Sequence, residues 1–248
     1  MLSERKSKLI EKKEMLSRPE LPNPKVVRLK FCKVGTLQYI SHLDLQRTFN
    51  RILVRACIPV WYTQGFNPHI KLVFSTPLSV GSESVCEYLD IRLSREMPLD
   101  ELKDSLNAEM TDEFYITEVY EPKNDFSSIA YASYDIAIHT NGASESLAGK
   151  IEEILSTSPL TMIKKGKAGE KEIDIIPLIK EVKSKYNEEN LNIELNVVLS
   201  ASSTQYLNPE MLITALKEKT DILSGSLTEE YYSILRTTLR KEDMSEFF

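Results

Sequence analysis

Val26-Val-Arg-Leu-Lys-Phe-Cys-Lys-Val34 alternates apolar and polar side chains, and a period of two over nine residues predicts a β-strand. Val27, Leu29 and Phe31 fall on one face, with Arg28, Lys30 and Cys32 on the other. Gly35 ends the run, and Ser41 then stands as a helix N-cap, with Asp44 placing a carboxylate in the first turn. Leu45, Phe49, Ile52, Leu53 and Ala56 follow as one apolar helical stripe, while Arg47, Arg51 and Arg55 lie four apart on another face. A strand feeding an amphipathic helix opens an α+β unit.

Reading outward, Pro59 closes the helix, residues 60–62 make a short strand, and the Gly65-Phe-Asn-Pro-His69 stretch is a turn. Residues 70–75 read as a strand. In residues 85–94 Leu89, Ile91 and Leu93 face in while Tyr88, Asp90 and Arg92 face out. A helix over 99–110 and a strand over 114–121 complete a βαββαβ order, which predicts a ferredoxin-like sandwich over 26–125. The theme returns over 126–248: a strand at 131–140, a helix capped by Ser144, and a hairpin over 160–176 with its tip at Lys165-Gly-Lys-Ala-Gly169. Residues 176–186 read as an inserted helix with Pro177 in its first turn. A strand at 191–200, a helix with Asn208 as cap and Pro209 next, and a strand at 231–240 follow. The fold expected is therefore α+β, with two ferredoxin-like βαββαβ sandwiches in tandem. Residues 1–25 precede them as a helical arm broken by Pro19, Pro22 and Pro24.

The composition is that of a packed globular chain, with 42 % hydrophobic and 27 % charged residues in 248. No apolar run approaches the ~20 residues of a membrane helix, and the charged N-terminus lacks the apolar core of a signal peptide. With only Cys32, Cys57 and Cys86, far apart and odd in number, a reduced cytoplasmic protein is expected. The same wide spacing offers no cluster-binding cysteine motif, and neither phosphate-binding glycine loop occurs, so no metal or cofactor is expected. Residues 1–75 hold 14 Lys and Arg against 5 Asp and Glu, while the remainder holds 17 against 32. That asymmetry makes the first sandwich the basic one and the second acidic, and it points to an anionic partner.

Gly35-Thr-Leu-Gln-Tyr-Ile-Ser-His-Leu-Asp-Leu-Gln-Arg47, Gln64-Gly-Phe-Asn-Pro-His69, Pro77-Leu-Ser-Val-Gly81 and Glu87-Tyr-Leu-Asp90 together resemble a bacterial family. This is the radical SAM-linked family, also termed the DUF2344 domain, and the resemblance covers about residues 26–225. It implies a radical SAM protein as partner, because family members are fused to such proteins or encoded beside them. The stretch from Ile173 to Ile179 resembles a further family segment, but Ile176 stands where Arg is usual. If that Arg binds an anion in relatives, this chain has lost the contact.

Three functions follow from these residues. In the first, an accessory protein presents RNA to a radical SAM enzyme, gripping phosphates with Lys30, Lys33, Arg47, Arg51 and Arg55. His42 at the helix N-terminus and the turn residues Gln64, Phe66, Asn67 and His69 would complete the surface, with Phe66 stacking a base. In the second, the same lobe docks the enzyme itself without touching RNA. In the third, His42 and His69 act as a metal-free acid–base pair. The bland alternative for both imidazoles is that they hydrogen-bond to hold turns.

Overall fold

The computed structural model describes residues 13–15, 17–166, 169–226 and 228–248. The chain is α+β and divides into two compact units, one reaching to Val80 together with Ser84–Asp125 and Phe248, the other Gly81–Glu83 with Phe126–Phe247.

The first unit contains β1 (Glu20–Lys33), α1 (His42–Arg55), β2 (Val73–Phe74), β3 (Ser82–Arg95), α2 (Leu99–Asn107) and β4 (Phe114–Tyr120). β1 is central, pairing antiparallel with β4 on one side and β3 on the other, and β2 joins β3 at Asp90 and Leu89. Val27, Leu29 and Phe31 turn inward and are fully buried against Leu45, Phe49, Ile52 and Leu53 of α1 and Leu102 and Leu106 of α2. Alternation on the strands and helical spacing on the helices meet here as one core. At its centre Phe31, Phe49 and Phe114 make mutual edge contacts of 4.9, 5.7 and 5.1 Å between ring centres, the geometry the aromatic quadrupole favours.

Two expectations for this unit need correction. The strand begins at Glu20 rather than 26, with Pro22 and Pro24 inside it. The ladder is irregular between Glu20 and Lys25, so neither proline has to donate a hydrogen bond there. The rest of the helical arm expected over 1–25 falls mostly outside the described residues. Secondly, the face read as outward is not solvent-facing: Arg28, Cys32 and Tyr88 are each 3 % exposed or less. Arg28 lies opposite Asp90 on β3 and Tyr120 on β4, and it grips Asp90 through Nε and Nη2 at 2.7 and 2.8 Å. A bidentate carboxylate is what makes burying a guanidinium tolerable. Burial likewise pushes the Tyr120 hydroxyl up to about 12, against the lowering effect of Arg28.

The second unit contains β5 (Ile129–His139), α3 (Glu145–Ser156), the hairpin β6 (Thr161–Gly166) and β7 (Gly169–Asp174), β8 (Ile179–Asn187), β9 (Asn192–Ser200), α4 (Glu210–Lys219) and β10 (Tyr231–Lys241). Its strands lie in the order β10-β5-β9-β8, all antiparallel. Ser144 caps α3 by accepting from Leu147 N, and Asn208 accepts from Glu210 N at the start of α4. The hairpin forms as read, with Gly166 opposite Gly169. Lys167 and Ala168 at its tip lie outside the described residues.

The inserted helix over 176–186 does not form. Those residues make a short 3-10 turn at Ile176–Leu178 and then strand β8. Ile179, Val182 and Tyr186 have helical spacing only because a register shift lies between Ile179 and Glu181. Beyond it, Val182, Ser184 and Tyr186 alternate with exposed Lys183 and Lys185, and the small Ser184 masks the period of two. Glu152 and Glu145 of α3 accept from the Ser184 and Tyr186 amides that β9 does not use, which closes this sheet edge to further strands.

Buried Glu230, just before β10, accepts from Thr140 Oγ1 at 2.6 Å, from Asn141 N at 2.7 Å and from Gly225 N. These bonds, the Thr140 hydroxyl first, hold its carboxyl below the usual range. A carboxyl lowered in the folded state stabilises above its unfolded value, ordinarily ~4.3, and that stabilisation is lost as pH falls from there through the native value. We expect Glu230→Gln to melt lower than wild type at pH 7, and the gap to narrow progressively below about pH 4.3. Thermal melts of both proteins between neutral pH and pH 3 check this.

Candidate functional site

The residues singled out in the sequence lie in the first unit, most of them on α1 and the loop over 62–70, with Lys30 and Lys33 on β1. Ser41 caps α1 by accepting from Asp44 N at 3.2 Å and donates to Asp44 Oδ2 at 2.7 Å, so the helix start is locked. The Ser41 hydroxyl, and after it Arg47, holds the Asp44 carboxyl below the usual carboxylate range. His42 opens the helix and packs its ring edge-on to Phe74 at 4.9 Å, and Phe74 in turn meets Phe49 at 5.8 Å. The imidazole thus continues the aromatic core outward to the surface.

The loop is braced at its base by a bridge between Tyr62 and Ile70 and by Thr63 N donating to His69 O at 2.9 Å. His69 N donates to Thr63 Oγ1, and His69 Nδ1 sits 3.1 Å from both Thr63 Oγ1 and Asn67 O. Gly65, at φ +134°, supplies a backbone shape that a side chain would strain. The result is a small closed loop whose tip residue, Phe66, is fully exposed at 108 % of its reference area. Gln64 and Asn67 are exposed beside it. Among the described residues no hydrogen bond or ring contact joins His42 to His69, and each imidazole is engaged by its own neighbourhood.

The expected cationic surface does not assemble. Lys33 is 3 % exposed and donates to the carbonyls of Leu37 and Gln38, tying down the turn over 35–39. Lys30 is paired with Glu118 at 3.0 Å on the sheet face, not beside the helix stripe. Arg47 pairs with Asp44 at 3.2 Å, and Arg55 with Glu109. Arg51 is exposed and has no ion pair among the described residues. The unit is not basic either: residues 26–125 hold 11 Lys and Arg against 14 Asp and Glu.

What the sequence reading missed is apolar. Tyr39 is 67 % exposed, Leu43 52 %, Val54 59 % and Tyr62 45 %. Leu43 and Val54 share the outer face of α1 with Arg47 and Arg51, Tyr39 ends the preceding turn, and Tyr62 faces a groove with Val54. One signal was available: Leu43 stands outside the buried stripe of α1, at a position where a polar residue would serve the fold better. Large apolar groups collected on one surface mark an interaction site more often than scattered ones do. Among the described residues no group of three His, Cys, Asp or Glu converges as a metal would require, and no helix is long and apolar enough to cross a membrane.

Because Phe66 is fully exposed, Phe66→Ala should change unfolding free energy by less than about 0.5 kcal/mol. Urea titration followed by circular dichroism measures it.

Against known proteins, no curated sequence matches the chain significantly. Among solved structures, a chain of a Cbf5-Nop10-Gar1 complex is 10 % identical with a TM-score of 0.45, the match covering 92 % of this chain and 57 % of that one. DyPB from Rhodococcus jostii RHA1 is 10 % identical with a TM-score of 0.20, covering 81 % of this chain and 85 % of that one. The chain thus spans little more than half the length of the first. A family model matches residues 26–209, three-quarters of the chain, and by that match the protein belongs to the DUF2344 family, described as uncharacterized proteins conserved in bacteria.

Proposed function

We propose that this chain is a non-catalytic docking subunit, built of two ferredoxin-like sandwiches, that binds a radical SAM protein in the cytoplasm through Tyr39, Leu43 and Phe66. The observation that carries the reading is Phe66, a whole aromatic ring held in solvent at the tip of a braced loop. Aromatic anchors that fill a partner's pocket dominate protein interfaces, and rigid presentation lowers the entropy lost on binding. Pairing of Lys30, Arg47 and Arg55 with the chain's own carboxylates weighs against phosphate as the main target. The engaged imidazoles weigh against acid–base catalysis in the same way. The strand orders β4-β1-β3 with β2 beyond, and β10-β5-β9-β8, support the sandwich description, which places the helices on one face of each sheet.

RNA presentation keeps two observations in its favour, an exposed Arg51 without an ion pair among the described residues and an exposed Phe66 able to stack a base. The two readings part in an affinity pull-down with the tagged full chain, run with and without nuclease. We expect a radical SAM protein in the nuclease-treated eluate, falling at least about tenfold with Phe66→Ala or Leu43→Glu. Recovery of RNA without that protein, or capture unaffected by both variants, contradicts the docking reading.

A further inference from the structure

We propose that the end of the second unit's sheet is a binding site for a nucleobase, either free as a nucleoside or carried in a single strand. It is a different site from the docking surface and stands or falls separately. His139 at the end of β5 and Tyr231 at the start of β10 are direct cross-strand partners. Their rings stack at 4.3 Å between centres and 17° between planes, and Tyr231 is 50 % exposed. A parallel ring pair with one member half in solvent is a stacking platform, and any base presents a flat π-face to it.

The polar groups around the platform suit a base edge. Asn192, on the strand next to β5, is only 4 % exposed, and its Nδ2 lies 3.3 Å from His139 Nε2. The buried Asn192 Oδ1 has no hydrogen-bond partner among the described residues. That oxygen is out of a ligand's reach, and Asn192 serves the site by positioning the His139 ring through its Nδ2. A depression of about 470 Å³ opens beside His139 and Tyr231, with Asn141, Asn190, Tyr186 and Glu229 on its walls. That volume is within the range of small-ligand sites, and carboxamides and carboxylates are side chains that pair with base edges. Among the described residues no Lys or Arg lines it, so the ring rather than a phosphate is the recognised group.

The platform is also fixed before a ligand arrives. Glu230, adjacent in sequence to Tyr231, accepts from the side chain of Thr140 and the amide of Asn141, the two residues that follow His139. Both rings are therefore carried on backbone tied by one buried carboxylate, which is the pre-organisation a weak stacking site needs.

The test is an NMR titration of the full chain with adenosine, guanosine, cytidine and uridine, and with a short single-stranded oligonucleotide of each base, following the His139 ring protons. The expected result is a saturable upfield shift with at least one base, weakened about tenfold by Tyr231→Ser and kept by Tyr231→Phe. Asn141→Ala, a change away from the ring pair, should weaken the same titration while leaving thermal unfolding unchanged. A strand binding far more tightly than its nucleoside would identify the strand as the natural source, and equal affinities the free nucleoside. No saturable shift with any of these ligands in the millimolar range, or a wild-type titration in folded Tyr231→Ser, overturns the proposal.

Discussion

Ion pairing inside the first unit is the constraint on which the reading of the whole surface turns. Lys25, Arg28, Lys30 and Arg55 meet Glu121, Asp90, Glu118 and Glu109 respectively, every one of these carboxylates coming from beyond residue 75. Charges that are segregated along the chain are thus interleaved in space. The exposed pairs contribute little to stability, on the order of 0–1 kcal/mol each, but each sets a carboxylate against a cation that a phosphate would otherwise meet. The Arg28–Asp90 pair is different in kind, since Arg28 is buried and its geometry is bidentate. What remains exposed on α1 and the 62–70 loop is Leu43, Val54, Tyr62 and Phe66, together with Arg51 and the paired Arg47 and Arg55.

Much of the first unit was legible because two periods coincide in it. The alternation of Val27, Leu29 and Phe31 and the helical spacing of Leu45, Phe49 and Ile52 each define a face, and the two faces bury one another. What alternation does not tell is whether the other face of a strand sees water. Arg28 and Tyr88 look like solvent-facing residues until their burial is known, because a cross-strand carboxylate sixty residues away is invisible to local pattern. Strand β8 failed for a related reason. One register shift converts a period of two into spacings of three and four, which imitate a helix, and Pro177 beside it strengthens the imitation.

The candidate surface was half legible. Gly65, Asn67 and Pro68 announce a turn, and Phe66 between them has no buried position to occupy, so its exposure follows from local chemistry. The charge layout misled because it was cut at residue 75, whereas the folded unit continues to 125 and brings its own acids. His42 illustrates a subtler point: a helix N-terminus suggests an anion site, yet here the ring at that position lies on Phe74 as the last member of an aromatic row. The His139–Tyr231 pair could not be read at all from sequence, because it depends on the pairing of the first and last strands of the second unit.

The central claim is that, among the described residues, the cations of α1 and β1 do not form one continuous surface, and the salt dependence of RNA affinity tests it most directly. Each phosphate neutralised on a single strand contributes a slope of about −0.7 in log K against log salt. The account predicts weak binding with a slope near zero between low and moderate salt. A slope of roughly −2 or steeper, flattened by charge reversal at Arg47, Arg51 and Arg55, would contradict it.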